Sequence, residues 1–267
     1  MPELPEVETI KRQLAENITK KKIKEVVIKD KRLIKGISSD FFKSEIEGAR
    51  FKKILRRGKI LILQIKEKSF IIFHLRISGW VMLSRDIEKF SRVIFRLSDG
   101  TMLEFCDQRA LGEIRLVNDW RDLPVIKKMG PEIFDLKKEE FIELFKEKKT
   151  KIKPLLMDQS FLAGIGNAYA QEAVFCAGIH PERGTDSLSK KDINKIYDCL
   201  TAILKEAIKK KGSSLDTYRQ INGTPGNYAP LLKVYGRKDK PCFRCGYSIE
   251  KKVIGGRGTY FCPHCQK

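Results

Sequence analysis

Near the end of the chain, "CFRC" (242–245) and "CPHC" (262–265) stand sixteen residues apart. No other feature constrains the fold as tightly. A C-x₂-C turn presents two thiolates from one knuckle, and two knuckles close a tetrahedral four-thiolate zinc site. One structural zinc ion is therefore expected on Cys242, Cys245, Cys262 and Cys265. His264 lies inside the second knuckle, but four sulfurs already complete a tetrahedron, so it reads as a bystander. Between the knuckles, "KKVIGGRGTYFC" (251–262) predicts two strands joined by a glycine-rich tip carrying Arg257. From Val234 to Lys267 there are eight Lys or Arg against two Asp or Glu. A rigid basic hairpin of this kind suits a phosphate contact or a groove.

The rest of the chain is basic too, with 54 Lys and Arg against 34 Asp and Glu, a formal charge of +20. Such a balance calls for a polyanionic partner. An anionic membrane surface is the competing partner, yet no apolar run is long enough to span a bilayer and no signal peptide is visible. Nucleic acid is the favoured partner, and the cytoplasm the expected compartment. Cys106, Cys176 and Cys199 are isolated in apolar contexts and are expected as reduced core residues. The hydrophobic share of 42% in 267 residues is enough for a core and excludes a disordered chain.

From residue 59 to about Leu116 the pattern is β. KILILQIK (59–66), SFIIFHL (69–75) and RVIFRL (92–97) are short, β-branched or aromatic, and "SDG" (98–100) predicts a hairpin into TMLEFC (101–106). Serial strands of this kind suggest a sandwich or barrel. Beyond Gly130-Pro131 the pattern turns helical. Ser189 and Asp192 form a capping box before a long apolar stripe from Ile193 to Ile208, and Gly212 can terminate that helix. A loop rich in Gly, Pro and Asn follows at 222–230.

The opening, MPELPEVETI, reads as a helix start. Pro5 suits a first turn, the glutamates at 3, 6 and 8 offset the helix dipole, and Val7, Ile10 and Leu14 form a stripe. Pro2 has no such explanation. "GIGN" (164–167) before AYAQEAVF can offer backbone N–H groups and Asn167 to an anion, although a tight turn capped by Asn explains it equally well. Lys59 in "RRGK" taken alone reads as a solvated charge. "HLRISG" (74–79) and "DQRALG" (107–112) read as loop tips able to wedge into an opened base stack, or as ordinary turns.

Taken together, "PELPEVET", "RRGK", "HLRISG", "DQRALG", "LAGIGNAYAQEAVFCAGIHP" and "VYGR…PCFRCG…IGGRGTYFCPHCQ" resemble the formamidopyrimidine-DNA glycosylases, bacterial base-excision repair enzymes, over nearly the whole chain. The resemblance implies an α+β fold: an N-terminal β-sandwich with flanking helices (1–131), a helix–two-turns–helix module with a lesion-covering loop (132–232) and a four-cysteine zinc-finger hairpin (233–267). Damaged duplex DNA would lie in the cleft between the halves of a monomer at the nucleoid. It further implies that Met1 is removed and Pro2 becomes a secondary-amine nucleophile, with Glu3 the proton donor and Glu6 a supporting carboxylate. The imine then permits β,δ-elimination. Lys59, Asn167 and Arg257 would grip phosphates, Arg257 also serving as proton donor in elimination. His74 and Tyr235 are further DNA contacts, and Arg109 would face the orphaned base. Gly223, Thr224, Pro225, Gly226 and Tyr228 belong to the lesion loop. Ile77 stands where the family has a void-filling methionine and Leu111 where it has a wedging aromatic, so base stacking at Leu111 is lost. Oxidised purines are the implied substrates. An endonuclease VIII-like enzyme for oxidised pyrimidines, or a non-catalytic damaged-DNA-binding paralogue, remain open.

Overall fold

In the computed structural model, which describes residues 1–267, the chain forms two compact units. The first comprises residues 1–127 together with 208–229, and the second residues 128–207 with 230–267.

The first unit opens with helix α1 (Leu4–Ile18), whose second residue is Pro5. Strand β1 (Ile23–Ile28) and helix α2 (Ser39–Ile46) follow. Next come β2 (Lys53–Arg57), β3 (Ile60–Lys66), β4 (Ser69–His74), β5 (Gly79–Ser84), β6 (Ser91–Leu97), β7 (Met102–Asp107) and β8 (Glu113–Val117). They build two antiparallel four-stranded sheets, ordered β1-β6-β7-β5 and β2-β3-β4-β8. The expected β6–β7 hairpin is present, with Gly100 at φ +85°. One core joins both sheets: the Phe73 ring of β4 lies tilted 5.8 Å from Phe95 of β6 and edge-to-face 5.2 Å from Phe105 of β7. Each fully buried Phe contributes about 1.5–3 kcal/mol, and Val7, Ile10 and Leu14 of α1 seal the same core.

The second unit is helical, with α3 (Pro124–Lys127) standing just before it. Its helices are α4 (Lys138–Glu143), α5 (Ile152–Met157), α6 (Asn167–Ala177) and α7 (Lys190–Lys209), the last running to the unit's edge. The Ser189–Asp192 capping box closes reciprocally, with Asp192 N–H donating to Ser189 Oγ and Ser189 N–H to Asp192 Oδ2, both at 3.2 Å. The hairpin β9 (Glu250–Ile254) and β10 (Arg257–Phe261) completes the unit, turning at Gly255-Gly256.

One expectation is corrected. Cys106 is buried and free, but Cys176 of α6 and Cys199 of α7 form a disulfide, with their Cα atoms 5.8 Å apart. Isolation along the chain hid the pair, because helix packing brings residues 23 positions apart side by side.

Candidate active site and metal centre

The start of α1 is built around one carboxylate. Pro2, Glu3 and Glu6 are all buried. Glu6 Oε2 accepts from the Glu3 N–H at 2.8 Å, and Glu6 Oε1 accepts from the Ser213 N–H at 2.8 Å. A chain start is normally solvent-exposed and loose; here Glu6 ties it to the segment 208–229. Tyr218 of that segment is buried near Glu6, and burial followed by the Glu6 charge drives its phenol pKa upward. The segment folds back on itself: Asn227 N–H donates to Lys210 O at 2.8 Å and Tyr228 N–H to Gly212 O at 3.0 Å. Its far side joins the edge of β5, where Leu83 N–H donates to Ile221 O at 2.7 Å. Gly226 sits where a Cβ would lie 2.3 Å from Gly212 O and 2.4 Å from Lys211 O. Gly226→Ala is therefore expected to open the base of this loop, and limited proteolysis across 213–228 should speed up by about tenfold, the cost of losing one or two hydrogen bonds. Unchanged resistance would show that the close approach is dispensable.

Lys59 occupies the two-residue turn between β2 and β3. Gly58, at φ +55°, supplies the positive-φ first position that such a turn requires. Arg56 braces it, donating from Nη1 to Gly58 O at 2.9 Å and from Nε to Glu8 Oε2 at 3.0 Å. Burial opposes the charge on Glu8, but hydrogen bonds from Arg12 and Arg56 override it and hold the pKa below the usual carboxylate value. Lys59 itself is only 8% exposed, so it is no ordinary solvated lysine.

The two loop tips stand as expected, between β4 and β5 and between β7 and β8. Asp107 couples them. Its Oδ1 accepts from Ser78 Oγ at 2.6 Å and Arg109 N–H at 3.0 Å, and its Oδ2 accepts from Gly112 N–H at 2.7 Å. This leaves Ile77 41% and Leu111 43% exposed, with Arg109 at the surface beside them. Two large aliphatic side chains are thus held out on braced loops. His74 lies at the end of β4, in a cavity it shares with Ile60, Ile72 and Leu123. Burial, then the Arg76 charge, pushes its pKa down to about 4. Its Nδ1 accepts from Arg76 N–H at 3.1 Å, so the neutral ring carries its proton on Nε2 as a donor.

In the second unit, the GIGN turn delivers Asn167 as the first residue of α6, with Gly164 at φ +93°. Asn167 Nδ2 donates to Gly258 O at 3.1 Å. Arg257 is exposed at the first position of β10. Tyr235 packs its ring 5.6 Å from Tyr260. The Lys233, Val234 and Tyr235 N–H groups all donate to the buried Glu172 carboxylate at 2.8–2.9 Å. Desolvation nonetheless raises the pKa of Glu172.

The four finger cysteines place their Sγ atoms within 4.8 Å of one another. Cys245 and Cys262 are 3.5 Å apart and Cys242 and Cys265 3.9 Å. A tetrahedron with Zn–S bonds of about 2.3 Å has edges of about 3.8 Å, so the four thiols fit one zinc ion. His264 stacks on Tyr247 at 5.0 Å and supplies no ligand. Arg244 anchors the first knuckle to the end of α6, donating to Phe175 O at 2.8 Å and Cys176 O at 2.9 Å.

Comparison with known proteins agrees along the length of the chain. Residues 1–114 match the formamidopyrimidine-DNA glycosylase N-terminal domain, 129–219 its H2TH domain, and 239–267 the zinc finger found in FPG and IleRS. The formamidopyrimidine-DNA glycosylase of Desulfitobacterium hafniense is 38% identical over 273 residues, and that of Listeria innocua 39% over 276, each alignment covering both chains in full. The crystal structure of a Lactococcus lactis FPG mutant with a Fapy-dG containing DNA superposes with a TM-score of 0.92 at 37% identity, covering 100% of both chains. A β-sandwich, a helical module and a four-thiolate finger in this order define a DNA glycosylase of base excision repair. The chain belongs to the formamidopyrimidine-DNA glycosylase family.

Proposed function

We propose that the chain is a bifunctional glycosylase and AP lyase that removes oxidised purines, such as 8-oxoguanine and formamidopyrimidines, from duplex DNA. The observation that carries this reading is the buried start of the chain, where Pro2 and Glu3 are enclosed and the Glu3 N–H is held by Glu6. Once Met1 is removed, Pro2 presents an α-amine. Such amines have a reference pKa of about 7.7–8.0 and are partly unprotonated at neutral pH without deep burial. The amine attacks the anomeric carbon of a flipped nucleotide while Glu3 donates a proton to the sugar-ring oxygen or the leaving base. Loss of the base, carrying a proton, and opening of the ring at its protonated oxygen leave a protonated imine between Pro2 and the sugar. The imine acidifies the adjacent sugar carbon, so the 3′ and then the 5′ phosphate are eliminated. Glu6 positions the amine and the loop.

Lys59, His74, Asn167, Tyr235 and Arg257 are assigned to the DNA backbone, with Arg257 also a proton donor in elimination. Ile77, Arg109 and Leu111 fill the gap left by the flipped nucleotide. Gly223, Thr224, Pro225, Gly226 and Tyr228 belong to the loop that covers the lesion. In this reading residues 1–131 carry the chemistry, 132–232 the helical DNA contacts and 233–267 the finger. The enzyme acts as a monomer on nucleoid DNA in the cytoplasm. No helix is long and apolar enough to cross a membrane.

The oxidised-purine assignment is supported by the Lactococcus lactis relative, whose complex contains Fapy-dG. Ile77 and Leu111, in place of the family's methionine and aromatic, keep the oxidised-pyrimidine reading open. Cleavage of 8-oxoguanine and thymine-glycol duplexes decides between them: faster excision of thymine glycol would overturn the purine assignment. Arg257→Ala is expected to weaken binding alike on every sequence and to flatten the salt dependence by about one phosphate contact. Titration of duplex binding against salt concentration measures both effects.

A further inference from the structure

Gln171 of α6 is completely buried, with both ends of its amide hydrogen-bonded. Its Nε2 lies 2.8 Å from Asn167 O, 2.9 Å from Asn167 Oδ1 and 3.2 Å from Gly258 O. Its Oε1 accepts from the Tyr260 N–H at 2.6 Å. One side chain thus grips the first turn of α6 and β10, the strand that begins at Arg257.

We infer that Gln171 is a positioning residue that sets Asn167 and Arg257 as a single phosphate-gripping unit. This rests on the reading of Asn167 and Arg257 as phosphate contacts. The argument is one of donor polarity. An asparagine amide can rotate to present either its oxygen or its nitrogen. With Gln171 Nε2 donating to Oδ1, the amide is held with Nδ2 toward Gly258 O. Nδ2 has two hydrogens, and the carbonyl takes one, so the other is free for a phosphate oxygen. Without that donor the amide can turn over and offer its oxygen, which repels phosphate. The Gln171–Tyr260 bond fixes the register of β10 against α6 three residues past Arg257. A carboxylate at position 171 keeps the acceptor for Tyr260 but turns an oxygen toward three other oxygens.

The test uses the full-length zinc-loaded protein and a duplex with an uncleavable tetrahydrofuran abasic analogue. Gln171→Glu is expected to keep its zinc, with a lowered thermal midpoint, while the dissociation constant rises about tenfold and the salt slope falls by about one contact. Gln171→Met, which removes the amide without adding charge, should act in the same direction. In a double-mutant cycle, Asn167→Ala should cost much less in the Gln171→Glu background than in the wild type. On cleavable substrate, KM should rise with little change in kcat. Wild-type affinity and salt slope in both variants, or strictly additive losses in the cycle, would overturn the proposal. So would loss of zinc in both, which would make Gln171 a structural residue. If neither Asn167→Ala nor Arg257→Ala alone weakens binding, the phosphate reading falls, and this proposal falls with it.

Discussion

Protein made with Met1 still attached is expected to yield no covalent adduct when borohydride is added to it on an 8-oxoguanine duplex, whereas the processed protein yields one. With Met1 in place the Pro2 nitrogen is an amide, and its lone pair is delocalised into the carbonyl. It cannot attack a sugar carbon, so no imine forms for borohydride to reduce. The effect is all or nothing, unlike a shifted pKa or a lost contact. Glu3→Gln separates the steps. It removes the proton donor for base departure, a role worth about 10²–10⁴ in rate. An abasic site has no base to expel, so the same variant should still trap on abasic DNA. Adduct in full yield from the Met1-bearing protein would end the assignment of Pro2 as nucleophile.

The second large effect is expected at the finger. Cys262 is fully buried, and its N–H is held by Gln266 Oε1 at 2.8 Å. Cys262→Ser removes one of four thiolates from a site whose metal supplies about 10–16 kcal/mol of folding free energy in small zinc domains. The finger should lose its metal and unfold, and with it the placement of Arg257 and Tyr235. Losing two charge-assisted contacts at about 1.5–3 kcal/mol each lowers duplex affinity by at least 100-fold. The β-sandwich, whose core contains no finger residue, should keep its circular-dichroism signature. Zinc content, circular dichroism and duplex binding measured on one sample decide the matter. Normal DNA binding by zinc-free protein would remove the finger from the interface.

Much of this architecture is legible in the sequence because it depends on local chemistry. The C-x₂-C knuckles, the Ser98–Gly100 hairpin turn and the Ser189–Asp192 capping box are each specified within a few residues. The same holds for the exposure of Ile77 and Leu111, which follows from loops bounded by strand ends. What stays hidden depends on long-range packing. Gln171 looks like any helix residue until Gly258 and Tyr260, nearly ninety positions away, arrive beside it. Asp107 is visible in its motif, but its bond to Ser78 spans two loops. The Cys176–Cys199 pair depends on how two helices pack, which no spacing rule encodes.

The path of the chain also limits how the protein can be divided. The backbone passes between the two units three times, at 127/128, 207/208 and 229/230. A gene fragment ending at residue 127 would encode the sheets, α1 and Glu6 but not Ser213, whose N–H satisfies that carboxylate. The first unit is therefore not one uninterrupted stretch of the sequence. Any fragment that carries it whole must carry residues 128–207 as an internal passenger.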